Sequence, residues 1–182
     1  MADARTRSSP VLDRFREGLE RHAVTVTETT PASFPEAVTD AVEPPALGTP
    51  LPFDDLALPD SIPTDLTAGT LEAARTGVTA ARLGIADYGS VALATTPAGD
   101  EPVSLFPERH VVVLRAADVV PGVREALAEL GPRAREDDRS YVLATGPSAT
   151  ADMGGLVLGA HGPETVHLVL VRDEADRRED EA

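Results

Sequence analysis

Apolar residues recur at helical spacing near the start of the chain, at Val11, Leu12, Phe15 and Leu19, with Arg14, Arg16, Glu17 and Glu20 on the other face. That period predicts an amphipathic helix, with Ser9 as N-cap and Pro10 at its first position. Val24 and Val26, separated by Thr, predict a short strand, and Phe34 to Val42 a second helix. Between 43 and 65 six prolines (Pro44, Pro45, Pro50, Pro52, Pro59 and Pro63) interrupt any regular element. The apolar residues among them, Leu47, Leu51, Phe53, Leu56, Leu58 and Ile62, predict an extended connector held against the body. Thr67 to Arg75 reads as a helix ended by Gly77, followed by a short strand at Gly77 to Thr79. Further strands are expected at Ile85 to Thr95, His110 to Leu114, Ser140 to Thr145 and Val166 to Val171. A helix from Val119 to Leu130 is expected to stop at Gly131-Pro132 before a charged loop, Arg133 to Arg139, and a short helix from about Ala149 to Gly155.

The run Val111-Val112-Val113-Leu114 is apolar at every position, the pattern of a strand buried on both faces. Such strands alternating with helices predict an α/β fold: an open, largely parallel sheet flanked by helices, with an antiparallel hairpin somewhere between 85 and 114. The expected organisation is one domain. A leader occupies 1–9, an N-terminal helical arm and connector 10–65, the core 66–172 and a charged tail 173–182.

Composition narrows the partners. Asp and Glu number 31 against 16 basic residues, a net charge of −15, which argues against nucleic acid and against an anionic membrane surface. Every basic residue is Arg; there is no Lys. An acidic, Lys-free chain fits adaptation to high salt, where carboxylate repulsion is screened within about 3 Å at molar ionic strength. Codon bias in a GC-rich genome also favours Arg over Lys. Cys is absent, which excludes disulfides, thiolate catalysis and iron–sulfur ligation by these residues. No apolar run approaches a membrane span and the N-terminus lacks the apolar stretch of a signal peptide, so a cytoplasmic location is expected.

Candidate chemistry concentrates in Thr145-Gly146-Pro147-Ser148-Ala149-Thr150-Ala151-Asp152, followed by His161-Gly162-Pro163. Hydroxyls and a Gly at the end of a strand suit close approach of backbone N–H groups to an anion, and open α/β sheets place ligands at strand ends. By spacing alone, Ser148 as a helix cap with Asp152 in the first turn explains the same residues. His161, flanked by Gly, is a candidate binding residue or base. His167, inside an apolar strand, reads as a core or edge residue. Asp87-Tyr88-Gly89-Ser90 is a polar notch with Asp87 as candidate acid, base or acceptor, or else a bulge. Ser104 to His110 is a third segment, in which Arg109 could clamp a carboxylate or phosphate, or form a surface ion pair. No His pair at helical spacing or Cys supports a metal site. No P-loop, dinucleotide fingerprint or nucleophile elbow is present.

Three blocks, GVTAARLGIADYGSVAL (Gly77 to Leu93), SLFPERHVVVL (Ser104 to Leu114) and TGPSATADMGGLVLGAHGPETVHLVLV (Thr145 to Val171), resemble the LUD-domain family, its lactate utilisation protein C (LutC/YkgG) group, in the family's order. The resemblance implies a sheet of the NagB/RpiA/CoA-transferase-like kind. It also implies a role in oxidising L-lactate to pyruvate beside LutA/LutB-like subunits that carry the iron–sulfur clusters, with no cofactor in this chain. Asp87 stands where the family has glutamate, one methylene longer. On this reading Asp87, Ser90, Arg109, Thr145, Gly146, Ser148, Thr150, Asp152 and His161 wall a cleft for a small carboxylate or other anion, with Asp87 and His161 as candidate catalytic groups. Two alternatives stay open: an independent sugar-phosphate isomerase or CoA-transferase-like enzyme, and a non-catalytic sensing or assembly protein.

Overall fold

The computed structural model describes residues 9–136, 140–152 and 155–173, apart from the side chains of Ser9 and of residues 151–156. The expected leader (save Ser9) and the tail beyond Asp173 lie outside these residues.

Helix α1 (Ser9–Arg21) leads into strand β1 (Thr25–Thr29), and helix α2 (Phe34–Ala41) follows. Within the proline-rich segment the chain forms strand β2 (Ala46–Gly48). Helix α3 (Ala68–Ala73) is closed at its start by a capping box in which Thr67 and Thr70 bond each other's backbone N–H. Strand β3 (Thr76–Ile85) turns through Ala86 to Gly89 into β4 (Ser90–Ala94). Helix α4 (Asp100–Leu105), strands β5 (Arg109–Arg115) and β6 (Val119–Val120) and helix α5 (Val123–Glu136) come next. Strands β7 (Tyr141–Ala144), β8 (Ala149–Asp152), β9 (Gly155–Leu158) and β10 (Thr165–Val171) complete the order.

The main sheet runs β1-β10-β5-β3-β4-β7, with β2 and β6 also pairing to β3. Strands β1, β10, β5, β3, β2 and β6 are mutually parallel, while β4 pairs antiparallel with β3 and with β7. The chain is therefore an α/β protein with a mixed, mostly parallel sheet flanked by helices, as the buried apolar runs implied. One face carries α1 through Leu12, Phe15 and Leu19 against Val112, Leu114, Leu168 and Leu170. The other carries α2 and the connector, with Phe34, Val38, Leu56 and Ile62 against Val78, Val111, Val113 and Val169.

Three local expectations are corrected. Gly77 does not end a helix; it lies in β3, where a Cβ would run into the Val103 carbonyl oxygen of α4, so Gly lets α4 cross close to the strand. Helix α5 continues through Pro132 to Glu136 instead of stopping at Gly131-Pro132, and it starts after the short strand β6. Proline withholds one N–H, but the helix resumes beyond it. Finally, the short helix expected from about Ala149 does not form over Ala149–Asp152: β8 and β9 make a separate antiparallel ribbon, with Thr150 opposite Val157 and Asp152 opposite Gly155.

Candidate functional site

Alternation along four strands of the main sheet aims one set of side chains at a common hollow. They are Val91 and Leu93 of β4, Val142 and Ala144 of β7, His110 and Val112 of β5, and Val166 and Leu168 of β10. The hollow has a volume of about 270 Å³ and continues the face that α1 covers, with Leu19 and Val24 forming one wall. The remaining walls are Gly89, Ser104-Leu105 of α4, and the two segments Thr145-Gly146-Pro147-Ser148 and His161-Gly162-Pro163. It thus lies on the face of the sheet, not beyond the strand ends where the sequence reading put its cleft.

The two loop segments are tied together. The Ser148 N–H donates to the Pro163 carbonyl (2.9 Å), the Gly159 N–H to the Ser148 carbonyl (3.0 Å), and the His161 N–H to Ser148 Oγ (3.3 Å). Gly146 sits at φ +66°, where a Cβ would come within 2.8 Å of the His22 carbonyl oxygen, so a side chain here is both strained and crowded. The third segment joins through Ser90, whose hydroxyl shares a 2.6 Å hydrogen bond with that of Thr145. Behind it, Gly89 at φ +61° presses on Gly18 of α1; a Cβ on Gly18 would lie 2.5 Å from the Gly89 nitrogen.

His110 is the most buried polar group in the lining, 3% exposed, with Nε2 2.9 Å from Thr79 Oγ1. Burial lowers its pKa to about 4, so at neutral pH the ring is uncharged. Among the described residues no protein group hydrogen-bonds its Nδ1. Ser104 Oγ donates to the Glu101 carbonyl (2.7 Å). No Arg, Asp or Glu lines the hollow among the described residues. Its chemistry is an aliphatic floor with the hydroxyls of Thr145 and Ser148 and the imidazoles of His110 and His161 in the lining.

Of the residues singled out in the sequence, Thr145, Gly146, Ser148 and His161 line this hollow, and Ser90 supports Thr145. Thr150 stands in β8 and is not part of the lining, and the side chain of Asp152 lies outside the described part of the structure. Asp87 does not face the hollow: the turn after β3 directs its carboxylate to Arg14 (3.1 Å), and its side chain is 47% exposed. Arg109 points through the other face of β5, where Nε donates to the Ala41 carbonyl of α2 (2.8 Å) and the guanidinium approaches Glu43. The buried neighbour His110 takes the position expected of it. His167 is held from both ring nitrogens, by Thr25 Oγ1 (2.7 Å) and Thr27 Oγ1 (3.0 Å), and burial lowers its pKa to about 4. Among the described residues no cluster of three metal-ligating side chains occurs, and no helix is long and apolar enough to cross a membrane.

The fold is similar to that of a DUF162 family protein from Deinococcus radiodurans, solved by crystallography: TM-score 0.68 at 21% identity, covering 90% of this chain and 97% of that one. In sequence, the chain is 32% identical over 108 residues to lactate utilization protein C of Bacillus licheniformis, covering 56% of this chain and 44% of that protein. It is 30% identical over 106 residues to the uncharacterized protein YkgG of Escherichia coli, covering 56% and 46%. Lactate utilization protein C of Deinococcus radiodurans is 28% identical over 172 residues, covering 88% and 79%. The match to the first two spans less than half of their length. A LUD domain model matches residues 66–171, more than half of the chain and the stretch that contributes most of the hollow's lining. With that match, the chain belongs to the LUD-domain family.

Proposed function

We propose that this chain is a component of a lactate-utilisation system and holds a small carboxylate of the lactate or pyruvate kind in the hollow over β4, β7, β5 and β10. The single observation behind this reading is the convergence of the Thr145–Ser148 and His161–Pro163 segments on one mainly aliphatic cavity within the LUD domain. A short α-hydroxy or α-oxo acid has an apolar end for Val112, Val142 and Leu168 and a polar end for Ser148, His161 and the Nδ1 side of His110. Hydroxyl and imidazole dipoles in a partly desolvated pocket take the place of a guanidinium. The neutral imidazole of His110 is fixed by Thr79 and orients the ligand. With no Cys for a cluster, electrons from lactate would pass to iron–sulfur partner subunits of the LutA/LutB kind, with this chain as a non-redox component.

The test is calorimetric titration of L-lactate and of pyruvate into the full chain, with Ser148→Ala and His161→Ala alongside. Binding weakened about tenfold or more by each variant supports the reading, because each removes a hydrogen bond to a charged group. Absence of binding by either acid, or affinity indifferent to both variants, removes the assignment of the hollow.

A further inference from the structure

A second hollow, about 220 Å³, opens on the opposite face of the same sheet. Its floor is Ala80 and Arg82 of β3, Ala94 of β4 and Tyr141 of β7; Arg133 of α5 closes one side, and Pro50 and Pro52 of the connector close another. Thr96 and Asp100 complete it.

Arg82 reaches this place by a backbone irregularity. Ala81 pairs with Leu93 and Leu83 pairs with Ala92, so β3 advances two residues while β4 advances one, and Arg82 is the extra residue of a β-bulge. Bulges re-aim a side chain, and they recur beside functional sites. Arg82 is the one position of the ten-residue strand that is not fully buried.

Several guanidiniums are matched with carboxylates: Arg16 and Arg172 with Glu28, Arg75 and Arg109 with Glu43, Arg115 with Asp55, Arg14 with Asp87. Neither Arg82 nor Arg133 has a carboxylate within 4.0 Å among the described residues. Asp100 lines the same hollow yet makes no ion pair with either. Its carboxylate is buried, 7% exposed, and accepts from the Thr49 hydroxyl (2.9 Å) and from the Thr96 hydroxyl. Two cations against one anion leave the hollow positive, in a protein whose net charge is −15. Tyr141 and Thr96 add hydroxyls.

We propose that this hollow binds a small oxyanion, a carboxylate or phosphate group, between Arg82 and Arg133. Planar guanidiniums recognise both groups by paired N–H donors. The site is independent of the ligand proposed for the hollow on the α1 face, because the sheet separates the two and only this one offers cations.

Inorganic phosphate and acetate are titrated separately into the full chain by calorimetry at constant ionic strength, chloride making up the balance. Saturable binding of either anion is expected. It weakens about tenfold or more in Arg82→Gln and in Arg133→Gln, as loss of a charge-assisted pair requires. Arg135→Gln, on the exposed side of α5, removes the same charge and leaves the affinity unchanged. Binding of acetate alone marks a carboxylate ligand, and binding of phosphate alone a phosphoryl group. Should Arg82→Gln fail to fold, Arg133→Gln decides. The proposal is overturned if neither anion binds above the chloride control, or if Arg135→Gln weakens binding as much as the two hollow variants.

Discussion

The hydroxyls of Ser90 and Thr145 stand 2.6 Å apart, joining the start of β4 to the loop after β7 across 55 residues of sequence. The bond fixes the first residue of the Thr145–Ser148 segment against the sheet, and so sets one wall of the hollow. Thr145→Val removes the shared hydrogen bond while keeping the shape. It is expected to lower unfolding free energy by about 1 kcal/mol, measured by urea denaturation, and to weaken ligand binding beyond that. Unchanged stability and binding would show the pair to be idle.

Gly18 and Gly89 hold α1 against the turn that precedes Ser90. A Cβ on Gly18 would lie 2.5 Å from a backbone nitrogen, which no side-chain rotation relieves. Gly18→Ala is expected to cost about 1–3 kcal/mol or more, and Gly89→Ala at least as much because φ +61° strains any L side chain. Thermal melts of both variants check this; melting within a degree of the parent would contradict the close packing.

Buried His110 and His167 both have pKa values lowered to about 4 from 6.5. For an imidazole this means that the unfolded chain takes up protons that the folded chain refuses. Stability is therefore full above about pH 6.5 and declines as the pH falls from there toward 4. Acidic Glu28 adds to the same trend at lower pH. Burial alone would raise its pKa, but the hydrogen bond and charge of Arg16, with Arg172, hold it below the usual carboxylate value. Denaturation midpoints followed from pH 7.5 to 4.5 should fall, and His110→Gln should make the fall shallower. A flat profile would mean that the imidazoles are not desolvated.

Salt tests the reading of the acidic, Lys-free composition. Repulsion from a net charge of −15 is screened as ionic strength rises, so the melting temperature should climb between low salt and about 2 M KCl. A melting temperature that is level or falls with KCl would leave codon bias as the reason for the missing Lys.

Much of this architecture was readable because burial leaves a plain mark. Val111 to Leu114 and Val166 to Val171 read as strands from their apolar runs, and α1 from the spacing of Leu12, Phe15 and Leu19. The same marks hid the faces. A strand buried on both sides gives no sign of which neighbour looks where, so the sequence alone does not show that His110 faces the hollow and Arg109 the other side of β5. Polar clustering in sequence also does not show that one turn parts the Asp87 carboxylate, aimed at Arg14, from the Ser90 hydroxyl, aimed at Thr145. The Ala149 to Gly155 segment is small and weakly patterned. Its ribbon comes from pairing with Leu156 to Leu158, a contact that local propensity does not show. The hollow at Arg82 depends on the bulge in β3, which the sequence does not mark.

The most direct test of the account is growth of the source organism on L-lactate as sole carbon source after deletion of this gene, complemented with the parent chain or with Ser148→Ala/His161→Ala. The account predicts no growth in the deletion strain, restoration by the parent chain, and poor restoration by the double variant present at equal abundance. Normal growth of the deletion strain on lactate would contradict it.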